Sequence, residues 1–328
     1  MSNLTGKRLG DYFLERLLGT GGFSQGVYLA YHVFRKRYYT IKVHSPDRAE
    51  EAVEEFHHMK AVQENSPNSV HVYDYGRTQE NVVYIVMQQC QCNLRDVYGN
   101  NPTRDYLFLA NLVRKVSSIL HYLHKEDFAH QDVKLENLLL SDTQEVLLSD
   151  YGSVRSIGKQ RQAVGTLEVM PPEQIEGWVT PEVDQYALAC MLFELLAGYR
   201  PFSIDEEAIN KRFLVTQVMD YDDSLVDQEL KNKRIQHERI YKEAEVKKYE
   251  RRTYSFYWGR FLNEIPPLPQ DIPYGIDVVL RVALSLEPEK RYPSIIVFAE
   301  AFADACMKAY QQQKFDNTPA RTGELAVA

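Results

Sequence analysis

Cysteine is scarce in this chain: Cys90, Cys92, Cys190 and Cys306 are the only four in 328 residues. They are too few and too scattered for a disulfide framework, which points to a reducing compartment. Cys90 and Cys92 have no second ligand pair near them in sequence, so a closed tetrahedral zinc site is not expected and the thiols read as buried or cleft groups. Positive charge is not in excess either. Lys and Arg number 38 against 46 Asp and Glu, a formal net charge of -8; binding a phosphate backbone takes a basic face, so nucleic acid is not an expected partner. Long apolar runs are missing. The most apolar stretch, residues 186–197, is too short to cross a bilayer and carries Glu194, so it reads as a buried core helix. Residues 1–7 are polar and no apolar segment follows them, so no signal peptide is expected. No internal repeat is visible. The expectation is a soluble, cytoplasmic protein without a membrane partner, whose 44% hydrophobic content can fill one large core or two smaller lobes sharing a cleft.

Chemistry-bearing residues concentrate in 130–152, HQDVKLENLLLSDTQEVLLSDYG. Asp132, Lys134, Asn137 and Asp150 lie around two apolar runs, 138–140 and 146–148, separated by a polar turn at 141–144, so the segment reads as loop, strand, turn, strand, loop. In such a hairpin Asn137 enters on the first arm and Asp150 leaves on the second, which brings their oxygens out at one end. Hard oxygens converging there suit Mg2+, which takes one or two protein oxygens together with phosphate oxygens and water. Asp132 is free to accept a proton from an alcohol while Lys134 neutralises charge developing on a transferred group. The wording H-Q-D-V-K-L-E-N followed by D-Y-G resembles the catalytic and metal-binding loops of protein kinases, H-R-D-x-x-x-x-N and D-F-G.

That resemblance extends in both directions. Upstream, LGTGGFSQGV follows a strand expected over 8–18. Gly19 and Gly21 fit the glycine-rich pattern G-x-G-x-x-G-x-V, Gly22 lies beside them, Ser24 stands in the third glycine's place, and Val27 arrives one residue late, so the loop holds an extra residue. The segment YYTIKV matches V-A-I-K with Thr40 replacing alanine, and the resemblance gives Lys42 the α- and β-phosphates of ATP. A helix is expected over 47–62. Within it the resemblance implies Glu55 as the partner of Lys42, because the family places an apolar residue just after that Glu and another four later, here Phe56 and Met59; Glu54 and Glu51 remain alternatives. Strands are expected over 70–75 and 82–87, then MQQCQCNLRDV resembles the hinge that meets adenine, with Met87 as gatekeeper, Gln88 where an acid is common and Cys90 at the pocket mouth. Leu18, Gly19, Gly21, Gly22, Val27, Thr40, Lys42, Met87, Gln88, Cys90 and Leu139 form the implied nucleotide-binding set. Asn137 and Asp150 form the implied metal set, for Mg2+ with Mn2+ as a substitute, and Asp132, Lys134, Lys42 and Glu55 the implied catalytic set.

Downstream, Gly165-Thr166 and Pro171-Pro172-Glu173 resemble the anchors that end a kinase activation segment, Asp184 matches the acid of the central helix in the large lobe, and Arg291 the partner of Glu173. Lys134 and Thr166 mark the serine/threonine version, and the wording is most similar to bacterial eukaryote-like serine/threonine kinases. The implied fold is α+β and bilobal: residues 1–8 an extension, 9–90 a small β-rich lobe with one helix, 91–310 a larger helical lobe, and 311–328 a disordered tail in which Thr318 and Thr322 are candidate autophosphorylation sites. Gln131 replaces the arginine of H-R-D, and no Ser, Thr or Tyr lies between Ser156 and Thr166, so activity without activation-segment phosphorylation is expected. A charged stretch over about 203–263 interrupts the pattern. Its Glu229–Lys233, Glu238–Lys242 and Glu243–Lys247 spacings support a solvated helix, or a docking arm for a partner. The expected activity is transfer of the γ-phosphate of Mg-ATP to Ser or Thr of protein substrates. Two other readings are a nucleotide-binding pseudokinase scaffold that signals through this insertion and a small-molecule phosphotransferase; the latter does not explain Thr166, Glu173 and Arg291.

Overall fold

The computed structural model describes residues 3–20, 24–99, 101–160, 163–202 and 265–316. Met1–Pro201 together with Pro267–Ala328 forms one compact unit; a second, Phe202–Pro266, lies almost wholly outside the described residues, and with it the charged insertion. The strand expected over 8–18 is a hairpin instead, β1 (Arg8–Leu9) and β2 (Tyr12–Gly19). Gly10 makes the turn at φ 54, a left-handed conformation that costs glycine nothing. After β3 (Gly26–His32) and β4 (Arg37–His44) come helix α1 (Ala49–Asn65), β5 (Val72–Arg77) and β6 (Val83–Met87). The six strands form an antiparallel sheet in the order β1-β2-β3-β4-β6-β5.

Strand period decides which side chains this sheet offers to the cleft. Tyr39, Ile41 and Val43 of β4 join Leu14, Tyr28, Ala30 and Val86 in one apolar cluster. The alternate residues Thr40 and Lys42 face the other way, where Lys42 is paired with Val27 and Thr40 with Met87. In α1 the buried positions Ala52, Glu55, Met59 and Val62 recur at helical spacing, so Glu55 sits on the buried stripe while Glu51 and Glu54 face solvent.

The chain then passes through β7 (Cys92–Asn93) into α2 (Leu94–Tyr98), whose first turn is closed by an Asn93–Asp96 capping box. Helix α3 (Tyr106–Lys125) is capped by Asp105 and buries Leu109, Leu112, Val116, Leu120 and Leu123 along one stripe, as the sequence predicts. Strand β8 (Phe128–Ala129) leads into the loop of Asp132. The predicted hairpin is present as β9 (Leu138–Leu140) and β10 (Val146–Leu148), and β9 also pairs with β7. The next segment carries β11 (Arg155–Ser156), paired with β8, and β12 (Gly158–Lys159). Helix α4 (Pro172–Ile175) and β13 (Trp178–Val179), which pairs with β12, come before α5 (Pro181–Ala197). Helix α5 is buried from Val183 to Leu196 and ends at Gly198, φ 80. Helices α6 (Tyr274–Ala283) and α7 (Ile295–Asp316) complete the unit, α7 lying mainly on α3. The expected break at Gln311 is a correction: α7 continues to Asp316, through Gln, Lys and Phe positions compatible with helix, and Gln313 Nε2 donates to the Arg104 carbonyl at 3.5 Å. Residues 317–328, with Thr318 and Thr322, lie outside the described residues.

Candidate active site

Lys42 connects the sheet to the rest of the cleft. Its Nζ donates to Glu55 Oε1 at 2.7 Å and to Asp150 Oδ1 at 2.7 Å, joining β4, α1 and the loop after β10. Burial works against the Lys42 ammonium, but the two carboxylates outweigh it and its pKa is raised. Burial also raises Glu55, which Lys42 only partly offsets; Asp150 is held far below the usual carboxylate range because Lys42 outweighs its burial. A Cβ on Gly152 would sit 3.1 Å from Glu55 Oε2 and 3.4 Å from Asp150 Oδ1, so a side chain there would press on the Glu55 carboxylate and glycine leaves it room. Asp150 itself adopts φ 61, a conformation that aspartate tolerates better than most residues. Behind it Tyr151 is buried, its hydroxyl donating to Ser69 Oγ at 2.9 Å and its ring edge-on to His130.

Asp132 sits beside this cluster. Its Oδ2 accepts from Lys134 Nζ at 2.8 Å and from Asn137 Nδ2 at 3.1 Å, and its backbone carbonyl also accepts from Asn137 Nδ2 at 2.7 Å. Its other oxygen, Oδ1, has no hydrogen-bond partner among the described residues. Lys134 Nζ also donates to Thr166 Oγ1, which ties the loop to the segment before α4. The loop is hung from α5: Asp184 accepts from the His130 and Gln131 amides at 2.9 and 2.7 Å and bonds His124 Nε2 at 2.8 Å. Burial opposes the Asp184 charge, but these donors hold its pKa low. The half-buried Glu173 meets the buried Arg291 in a two-bond pair, 2.5 and 3.1 Å.

A protein kinase domain model matches residues 12–292 of the chain. This chain belongs to the protein kinase family. Among its relatives are serine/threonine-protein kinase PrkC of Bacillus subtilis, 31% identical over 212 residues covering 61% of this chain and 32% of PrkC. Serine/threonine-protein kinase PknD of Mycobacterium tuberculosis is 31% identical over 229 residues, 66% of this chain and 33% of PknD. Aurora kinase B of Mus musculus is 28% identical over 212 residues, 62% and 61%. Of PrkC and PknD the chain thus spans about a third of the length.

The other residues expected at the kinase nucleotide site divide into placed and unplaced. Val27, Thr40 and Met87 share the cleft face of the sheet with Lys42; Leu139 is half-buried on β9; Gly19 ends β2 next to an exposed Leu18. Gly21 and Gly22 lie outside the described residues. In the hinge, the Gln88 amide donates to the His71 carbonyl at 2.8 Å, whereas the Cys90 amide has no protein partner among the described residues. Burial, helped by Asp142, pushes the Cys90 thiol up to about 11, which leaves it protonated and unreactive near neutral pH. For the metal, Asn137 uses only its amide nitrogen within the protein, and the hydrogen bonds that the Asp150 carboxylate accepts all fall on Oδ1. Ser149 N and Oγ both bind the Asn137 carbonyl, at 2.9 and 3.0 Å, which keeps the two loop ends together. One amide and one carboxylate oxygen, with no larger acid or histidine cluster among the described residues, is a donor set that fits Mg2+ completed by phosphate and water.

Sequence reasoning missed two features of the kinase domain. Gln131 Nε2 donates to the Ser153 carbonyl at 2.8 Å, while Gln174 Nε2 donates to the carbonyls of Gln131 and Val164 at 2.9 and 2.7 Å. Beyond Asn137, Glu136 Oε1 accepts from Arg95 at 3.1 Å and from Arg200 at 2.6 Å. Glu194 binds Arg95 at 2.5 Å and Arg200 at 3.4 Å, and Glu168 is 3.8 Å from Arg200. These residues come from α2, the catalytic loop, the turn after Thr166, α5 and the chain after α5, so no local spacing signals them.

Proposed function

We propose that this kinase domain transfers the γ-phosphate of ATP to serine and threonine hydroxyls of proteins. The observation that carries the reading is Asp132 Oδ1, a buried carboxylate oxygen that no donor among the described residues meets, while Lys134 and Asn137 occupy the other oxygen. An incoming hydroxyl donates its proton to that oxygen as its own oxygen attacks phosphorus. Lys42 stays charged in the cleft and offers its ammonium to the phosphates, with Glu55 fixing its direction. Lys134 stands next to the acceptor position and neutralises the transferred group as it passes. Asn137 Oδ1 and the Asp150 carboxylate would hold Mg2+, or Mn2+ in its place; once bound, the ion screens the phosphate charges. The Cys90 amide is the donor that the adenine edge would take. Labelled γ-phosphate should appear on a generic protein substrate, and Asp132→Asn should lower the rate by about 10² to 10⁴. Unchanged transfer by Asp132→Asn overturns the reading, and nucleotide binding without any transfer favours a scaffold.

The kinase is further proposed to work without phosphorylation of its activation segment. Support comes from the amide cross-links: Gln131 and Gln174, both neutral, bind carbonyls near both ends of that segment, where the family's H-R-D arginine would offer a cation. Phosphatase treatment should leave the rate within about twofold, since neutral hydrogen bonds do the fastening. Loss of activity that returns on autophosphorylation within 153–166 overturns this. Two wider assignments belong here as well. The segment 203–263 is proposed as a docking arm, which unchanged partner and substrate binding after its deletion would remove. A cytoplasmic location fits the four free thiols, and no described helix is long and apolar enough to cross a membrane.

A further inference from the structure

The cluster beyond Asn137 adjoins both the catalytic loop and the segment that carries Thr166. Glu136 is adjacent to Asn137 in the catalytic loop, and Glu168 lies in the turn that begins at Thr166, itself bonded to Lys134. Three carboxylates, Glu136, Glu168 and Glu194, would make this rim strongly acidic if they were open. They are not open, because Arg95 and Arg200 bind across all three. Arg200 is the keystone: it touches each acid, and its side chain is only 14% exposed. Glu136 spends Oε1 on both guanidiniums, and its Oε2 is buried without a partner among the described residues. Burial would push the Glu136 carboxyl up, but Arg200 and then Arg95 outweigh it and keep the group ionised.

We propose that Arg95 and Arg200 act as specificity-determining residues: they occupy, from within the chain, the acidic rim that a basic substrate side chain would otherwise fill, so that the kinase gains nothing from arginine next to the phosphorylated hydroxyl. The proposal rests on the protein kinase reading and adds the substrate class, serine or threonine peptides of neutral or acidic surroundings. Selection here works by exclusion, since a guanidinium from a substrate finds its carboxylates already paired.

The test is a set of serine peptides carrying alanine or arginine at each position flanking the acceptor, assayed with wild type, Arg200→Gln, Arg200→Lys and Arg95→Gln. Wild type should show arginine-to-alanine ratios of kcat/KM within about threefold at every position, the scale of screened surface charge. Arg200→Gln should raise the ratio about tenfold at one or more positions, in KM and not in kcat, as uncovered carboxylates gain a charge-assisted bond. Arg95→Gln should shift the same positions less, and Arg200→Lys should stay near wild type. A merely structural role would lower both peptides' rates together and leave the ratio alone. A wild-type preference for arginine of about tenfold or more, or an unchanged ratio in both glutamine variants, overturns the proposal. If Arg200→Gln does not fold, Arg95→Gln decides. If no protein transfers phosphate, the kinase reading has failed, and fluorescence anisotropy of the same peptides tests the rim by itself, with the same ratios read from Kd.

Discussion

Toward α1, one ammonium, Lys42, holds two carboxylates; beyond Asn137, two guanidiniums, Arg95 and Arg200, hold three. The surroundings separate the clusters more than the arithmetic does. Lys42 and Glu55 side chains are 8% and 2% exposed, so water cannot replace a lost partner, whereas Glu136 is 36% and Arg95 26% exposed, and the drier members, Arg200 and Glu194, each have more than one partner in the cluster. A buried charge that loses its partner costs several kcal/mol, and a wet one costs about 1 kcal/mol or less. The first arrangement therefore behaves as a joint that must be whole, and the second as a filter that can be retuned without unfolding the domain.

Lys42→Met should give the largest effect, leaving Glu55 and Asp150 facing each other without a cation. We expect a stability loss of about 3 kcal/mol or more in urea unfolding, and a transfer rate lower by about 10² or more. A loss no larger than that of Arg200→Gln, which leaves Glu136 and Glu194 still paired to Arg95, would erase the contrast. The acid limb of stability sharpens it. Asp150 is depressed in the folded state, so its contribution is present above the unfolded carboxylate value near 4 and is lost as pH falls. Urea stability should drop between about pH 5 and pH 2, less steeply in Asp150→Asn, with Asp184 supplying part of the remainder. Glu55 has the opposite sign: burial raises it, so its contribution is present below about 4 and lost as pH rises through its folded value. Glu55→Gln should accordingly cost less at pH 7 than Lys42→Met.

Between the extremes lies the neutral amide cross-link. Gln174→Leu would strip the Gln131 and Val164 carbonyls of a donor, costing about 1 to 3 kcal/mol, and should speed tryptic cleavage at Lys159. The smallest effect is expected from Glu300→Ala, which removes the partner of Arg114 on the outer surface. Its carboxylate and guanidinium are 53% and 39% exposed, and the change in unfolding free energy should stay within about 0.5 kcal/mol.

How much of this could be read from the chain depends on how local each signal is. The pairing of Lys42 with Glu55 came through the family resemblance, which singled out Glu55 by the apolar residues after it and left Glu51 and Glu54 open; the helix period then puts only Glu55 on the buried face. The hairpin 138–148 and the meeting of Asn137 with the Asp150 end followed from two apolar runs and a polar turn. Asp184 and Arg291 came only through the family resemblance, since nothing local tells a structural acid from a surface one. The hairpin at Gly10 went unread because a lone glycine in an apolar stretch also suits a continuous strand. Helix α7 outlasted its apolar pattern, because its last turns are held by backbone bonds and not by a buried stripe. The Arg95–Glu136–Arg200–Glu194 contacts span more than a hundred residues of sequence and carry no period at all. Their partners are set by where four separate elements end.

The Tyr151 hydroxyl also has a consequence for inhibitors. Its bond to Ser69 is buried at both ends, and burial raises the phenol's pKa well above its ordinary value, so the group stays a neutral donor at any ordinary pH. A small molecule that binds by swinging this ring outward must break that bond and leave the serine oxygen dry, a penalty of about 1 to 3 kcal/mol. Compounds that leave the ring where it is avoid that penalty, and Tyr151→Phe should narrow the gap between the two kinds.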